Sequence, residues 1–392
     1  MTDALSLHEA SQENAMLAHV AGLIAAAGGW LPFDEYMRAV LYAPGLGYYS
    51  AGSRKFGPDG DFTTAPELSP LFGSCIAAQC EQLLRAIPAG EILELGAGSG
   101  RLAFDLLTAL AARDCLPRRY AILEISADLR ERQRTLLATL PAALAARVEF
   151  LDTPPDKPWA GVLVANEVLD ALPCELFMVD TPAVDIPGVS SLGVGIDVAG
   201  RLRWQRRATT AATQAELTRL FATLPAPPSA PYLSEICSMV GPWIAEVTAA
   251  LTTGVALFID YGLPRSEYYH PSRAAGTLRC HYRQRGHDDP FLHPGMQDVT
   301  AWVDFTRVAE AADAAGLAVL GYATQAAFLL GCGIEALIAA APTDLARARL
   351  VSEARQLLLP DGMGETFKVI ALGRNWSQPL AGFAHQDLRS RL

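Results

Sequence analysis

Hydrophobic and polar positions alternate along this chain with two different periods, and the change of period divides it. Residues 7–27 follow the spacing of an amphipathic helix, and "LPFDEYMRAVLY" gives a second, with Asp34 near its start. From residue 91 short apolar runs alternate with helical patterns. "EILEL" precedes a helix over 100–112, and "RYAILEI" (119–125) precedes one over 127–139. "RVEFL" (147–151) runs into a proline-rich turn, and "AGVLVANEVLDALP" (160–173) reads as a buried strand followed by a short helix start. This rhythm predicts an α/β fold built on a doubly wound, mostly parallel sheet. Residues 176–205 break it with hairpin-like segments. It resumes with a helix over 235–252, a strand over 254–262, a helix over 304–315 and a last strand over 365–373. The pattern divides into N-terminal helices and a covering loop (1–75), a first α/β part (76–173), an inserted segment (174–235) and a second α/β part (236–392) with an irregular loop at 263–303.

Residues 43–70 are rich in Gly, Pro, Ser and Asp, too irregular for helix or strand. A loop of that length in a compact chain is functional or disordered, and its aromatics (Tyr48, Tyr49, Phe56, Phe62) argue for order. The 392 residues carry a net charge of −11, which argues against a broad nucleic-acid footprint. The first 37 residues contain no Lys or Arg, as neither a secretory nor a mitochondrial leader would. His19 and Gly28-Gly29 interrupt the most apolar early stretch, so no membrane span is expected there. Seven scattered cysteines without a CxxC pair read as reduced thiols, which points to the cytoplasm.

The stretch "EILELGAGSGRLAFDLL" (91–107) carries the first chemistry. Gly96, Gly98 and Gly100 form a GxGxG turn between a strand and a helix. Small residues there let a ligand approach the backbone, and the helix offers free N–H groups. The dinucleotide pattern would need glycine where Arg101 stands, which disfavours a nicotinamide cofactor. Glu94 lies two positions before the first glycine. Glu124 ends the second strand, where a carboxylate accepts bonds from both ribose hydroxyls. Asp152 ends the third strand, in reach of an adenine amino group. The plain alternatives are a tight strand–helix turn, a solvated strand-end glutamate, and an aspartate starting the turn at Pro154-Pro155.

The order of Glu94, GxGxG and Glu124, with a late fifth strand and a closing "ETFKVIALG", resembles the class I S-adenosylmethionine methyltransferases. A narrower resemblance runs from about residue 30 to 372. "FGPDGDFTTAPELSPLFG" (56–73), "ILELGAGSG", "LEISADLRERQ" (123–133), "ANEVLDALP" (165–173), "SEIC" (234–237), "IDYG" (259–262) and "HPGMQDVTAWVDF" (293–305) follow one another as in the MidA-type methyltransferases, which include the mitochondrial complex I assembly methyltransferase. The family commonly has an aromatic pair where Val168 and Leu169 stand here. The resemblance implies a Rossmann-like seven-stranded sheet, S-adenosyl-L-methionine as cofactor, and methylation of an arginine in a respiratory complex I subunit.

A guanidinium has a pKa above about 12 and becomes nucleophilic only when a carboxylate orients it and takes a proton. Glu167, after Asn166 at the end of the fourth strand, is the leading candidate, with Asn166 itself on the cofactor side. Glu235 in "LSEICS" is the second arm of a clamp or an acidic residue at a helix start. Asp170 caps a helix or braces the site, and Asp260 and Tyr261 end the fifth strand on the same rim. The loop 57–66, with Gly60, Asp61, Thr63 and Thr64, is expected to close over the cofactor. His270, His281, His287 and His293 lack an HxH or HxxxH spacing, so no metal is expected. With Tyr282, Arg283 and Arg285 they suit an acceptor-side wall. A small-molecule methyltransferase and a cofactor-binding assembly factor are the competing functions.

Overall fold

The computed structural model describes residues 6–51, 63–180 and 188–392. Its central sheet uses strands β1 (Glu91–Leu95), β2 (Tyr120–Leu123), β3 (Val148–Leu151), β4 (Trp159–Asn166), β5 (Leu251–Leu263), β6 (Ala318–Thr324) and β7 (Phe367–Arg374). They lie in the order 3-2-1-4-5-7-6, and a short strand, Val303–Asp304, joins the end of β5. The first five strands are parallel, and β7 runs antiparallel to both β5 and β6. Both faces are covered, which is why the strands read as continuous apolar runs. Along β4, Val162 and Val164 enter one core with the helices Pro70–Ala86 and Arg101–Ala112. Leu163 and Ala165 enter the opposite core with Val240–Thr248 and Phe305–Ala314.

β1 continues outward to β2, whereas β4 lies on its other side. The crevice above the carboxyl ends of β1 and β4 is therefore the switch point where open α/β sheets bind ligands. The inserted segment, joined by Leu31–Pro32 from the N-terminal part, forms a second, antiparallel sheet with Glu175–Val179, Val189–Ile196, Leu202–Ala208 and Tyr232–Ile236. The helix Ala211–Thr223 packs behind it through Leu217, Leu220 and Phe221, against Phe177 and Tyr232.

Three expectations need correction. The helix expected over 235–252 is the strand Tyr232–Ile236 followed by the helix Val240–Thr248. Residues 232–236 pair with 175–179, placing Glu235 opposite Leu176, so a distant partner overrides the local period. No helix follows Asn166; residues 167–172 form a turn. β6 and the helices Gln325–Gly331, Ile334–Ala339 and Asp344–Leu358 complete the second α/β part, where no element was read.

Candidate active site

Above the switch point lies a cavity of about 390 Å³. Its floor is the glycine turn. Gly96, Gly98 and Gly100 have φ of 61°, 55° and 85°, the left-handed region that glycine enters without cost. A Cβ on Gly96 would stand 3.1 Å from Val168 Cγ2. Gly100 is the N-cap of Arg101–Ala112, where a Cβ would press on Gln133. Gln133, without a role in the sequence reading, has an Nε2 that donates to Gly98 O at 2.8 Å and to Glu124 Oε2 at 2.9 Å. Ser126 N donates to the other oxygen of Glu124 at 3.0 Å. One glutamine thus fixes the turn and the carboxylate relative to each other. Ile125 and Leu129 add an apolar wall next to Glu124.

Glu94 lies at the bottom of the cavity and accepts from Tyr120 Oη at 2.7 Å. Burial, with the nearby charge of Glu124, pushes its pKa up to about 7, against the pull of the tyrosine. Thr63, Thr64 and Asn166 line the same space. Asn166 Oδ1 is buried and unpartnered, an acceptor left for a ligand donor. Glycines at left-handed φ, a fixed carboxylate beside an apolar wall, and this open acceptor fit an adenosine with a polar amino-acid end.

The opposite half of the cavity is acidic. Glu167 has φ of 53°, a conformation that costs a non-glycine residue of order 1–3 kcal/mol. The fold imposes it. Glu167 N donates to Ile259 O at 2.8 Å, while Leu169 N and Asp170 N both donate to Asp260 Oδ2 at 2.9 and 3.2 Å. Asp260 is buried behind the turn and acts as its peg. Asp170 accepts a short bond from Tyr261 Oη, and its other oxygen is buried and unpartnered. Tyr42 donates to Ala171 O and Tyr49 to Asp298, and both rings line the cavity. Neither Glu167 nor Asp170 has a cationic partner among the described residues. Burial, then repulsion from Asp170, pushes Glu167 up to about 8. Burial pushes Asp170 up to about 6 despite the Tyr261 bond. Asp260 is pushed well up by burial and by both neighbours.

These shifts set an expected pH dependence. Glu94, Glu167 and Asp170 bind a proton more tightly folded than unfolded. The stability this provides is complete below the ordinary carboxylate range and is lost as pH rises from about 4 to the folded values of about 6 to 8. The melting temperature of the ligand-free protein should therefore fall across that window, and Glu167→Gln should flatten the fall. A Tm that rises over the same window in both proteins would contradict the assignment.

Nine residues expected at the site from sequence meet at this cavity: Thr63, Thr64, Glu94, Gly96, Gly98, Glu124, Asn166, Glu167 and Asp170. Gly100 caps the adjoining helix. Gly60 and Asp61, with most of the loop 57–66, lie outside the described residues. Two residues stand elsewhere. The Asp152 side chain is 86% exposed and pairs with Arg130, because β3 is the sheet's edge strand and β2 separates it from β1. Glu235 is buried in the second sheet, where Thr277 N and Leu278 N donate to it at 2.7 and 2.9 Å. It lines no part of the acidic half, so the second carboxylate there is Asp170, not Glu235. Among the histidines only His281 reaches the cavity, beside Arg279. His293 pairs with Glu13, and Arg283 with Glu9. No three His, Cys, Asp or Glu converge as metal ligands among the described residues.

Sequence reasoning missed Gln133, Tyr42, Asp298, Arg279, Trp302 and Phe367 as cavity-wall or bracing residues. Gln133 and Asp298 fall inside the quoted motifs "LEISADLRERQ" and "HPGMQDVTAWVDF", a signal that was present.

The chain's likenesses agree with this geometry. A family described as S-adenosyl-L-methionine-dependent methyltransferases matches residues 75–323. The mitochondrial protein arginine methyltransferase NDUFAF7 of Mus musculus is 29% identical, covering 93% of this chain and 85% of that protein. Its counterpart in Danio rerio is 26% identical, over 98% and 96%. A Burkholderia thailandensis protein, crystallised with S-adenosyl-homocysteine, is 42% identical over all of both chains with a TM-score of 0.92. With the match spanning most of the sheet and the glycine crevice at its centre, the chain belongs to this family of S-adenosyl-L-methionine-dependent methyltransferases, in its MidA-type branch.

Proposed function

We propose that the acceptor is an arginine guanidinium of a protein. The observation that carries this is the pair Glu167 and Asp170, facing one cavity next to the cofactor crevice with no cationic partner among the described residues. A half-buried and a buried carboxylate that repel each other, Glu167 and Asp170, are a site for a planar cation, and a guanidinium matches them with its fork of donors. Relatives covering nearly all of the chain are named protein arginine methyltransferases, which supports the same reading.

The cofactor supplies a methyl group already activated on a sulfonium, so the protein's work is to position and deprotonate the acceptor. Glycines 96, 98 and 100, Glu124 and Asn166 would hold it. Glu167 orients the guanidinium and takes its proton, for which a carboxyl poised near 8 is suited. Asp170, fixed by Tyr261, holds the second edge. Asp260 touches no acceptor; it positions the turn that carries both. We place the acceptor in a respiratory complex I subunit, on the family resemblance, and the enzyme in the cytoplasm, in keeping with seven unbridged cysteines.

Labelled S-adenosylmethionine, added with the enzyme to a lysate from cells lacking it, should label one protein at arginine by mass spectrometry. Label on a small molecule or on another residue type would overturn the proposal.

A further inference from the structure

A second hollow, of about 700 Å³, lies on the open face of the inserted sheet. Its floor includes Leu176, Met178 and Leu233; Met178 and Leu233 stand directly opposite each other on paired strands. Arg279 and Trp302 line both this groove and the catalytic cavity, so the two spaces share one wall. On the cavity side the Trp302 ring lies 6.3 Å from that of Tyr261, which holds Asp170. On the groove side the Arg273 guanidinium sits 4.8 Å above the Trp302 ring, and it has no carboxylate partner among the described residues. Arg279 and Arg206 also line the groove, paired with Asp288 and Asp180.

The charge therefore reverses at Trp302. Inside, Glu167 and Asp170 await a cation. Outside, Arg273, with no carboxylate partner among the described residues, stands over Leu176, Met178 and Leu233 in a groove that Glu235 and the Arg279-paired Asp288 also line. A free arginine or a small cationic molecule would be repelled at this mouth. A polypeptide that carries its arginine beside acidic and apolar residues satisfies both sides.

We propose that this groove docks the acceptor as a polypeptide segment with an acidic residue next to the target arginine, its carboxylate on Arg273 and a neighbouring apolar side chain on Met178 and Leu233. The proposal rests on the arginine reading and names the sequence context that reading leaves open.

The test uses two short fluorescein-labelled peptides, each with one central arginine and one leucine, flanked by glutamates in one and lysines in the other. By anisotropy the enzyme should bind the acidic peptide at least about tenfold more tightly, the scale of a recognised charge pair. Arg273→Glu should reverse that preference, and Met178→Asp should weaken the acidic peptide. Neither should change the affinity for S-adenosyl-homocysteine, which also reports that the variants fold. Equal binding of both peptides, or a preference that Arg273→Glu leaves intact, overturns the groove. Transfer assays separate the two claims. Methylarginine formed equally from both peptides overturns the groove and leaves the arginine reading standing. Charge-dependent binding without methylarginine does the reverse.

Discussion

Gly98→Val is expected to abolish measurable S-adenosyl-homocysteine binding while the protein stays folded. Gly98 lines the cavity at φ of 55°, a region that a β-branched residue avoids. The valine must either strain the backbone or swing the turn outward. An outward swing breaks the bond from Gln133 to Gly98 O, and Gln133 also holds Glu124. A single substitution therefore fills the space and removes one anchor of the carboxylate, leaving the bond from Ser126 N. The expected loss is at least about a hundredfold, or roughly 2.7 kcal/mol. Calorimetry reads it, with circular dichroism as the folding control. Unchanged affinity in a folded variant would remove the glycine turn from the cofactor site. Glu124→Ala breaks only one arm of this arrangement and should cost less, about 1.5–3 kcal/mol.

Glu167→Gln is the second large effect, and it falls on a different quantity. Glutamine keeps the size and hydrogen-bonding reach of the side chain but carries no charge and accepts no proton. Its backbone bond to Ile259 O and the Asp260 peg are untouched, so the turn should hold. Affinity for S-adenosyl-homocysteine should stay near normal, because the cofactor-facing groups are the glycines, Glu124 and Asn166. Methyl transfer should drop by at least about a hundredfold, the scale of a lost general base. Asp170→Asn should lower transfer as well. The double variant should fall short of the product of the two single effects, because both carboxylates act on one guanidinium.

Local signals made the cofactor half of the site legible. A strand, a GxGxG turn and a helix are adjacent in sequence, and Glu124 follows at the next strand end, so the sheet's own rhythm places them together. The closing strand over 365–373 was legible as an apolar run, and its antiparallel direction was implied only by the family resemblance. The acceptor half was legible only in Glu167, Asp170 and Tyr261. It is assembled from the turn 167–170, from Tyr42 and Tyr49 near the N-terminus, and from Arg279, Asp298 and Trp302 in the late loop. No periodicity reports that these meet. Glu235 shows the cost. Its sequence context resembles a helix start, but pairing with residues 175–179 turns it into a sheet residue whose carboxylate serves the backbone of Thr277 and Leu278. Asp152 was read from strand order alone; β3 ends level with β2, but as the edge strand it is separated from β1 by β2, and Asp152 turns to Arg130 instead.

The central claim is that a neutralisable carboxylate at Glu167 receives the proton of a cationic acceptor. The pH profile of kcat/KM for methyl transfer to an arginine peptide tests it most directly, since that ratio reports the free enzyme's groups. Glu167 must be ionised to act, and its pKa in the free enzyme is raised to about 8. The wild-type profile should therefore climb as pH rises through about 8, and the climb should vanish in Glu167→Gln along with most of the rate. A profile flat across that range in the wild type, or a climb that survives in Glu167→Gln at near-normal rate, would contradict the account.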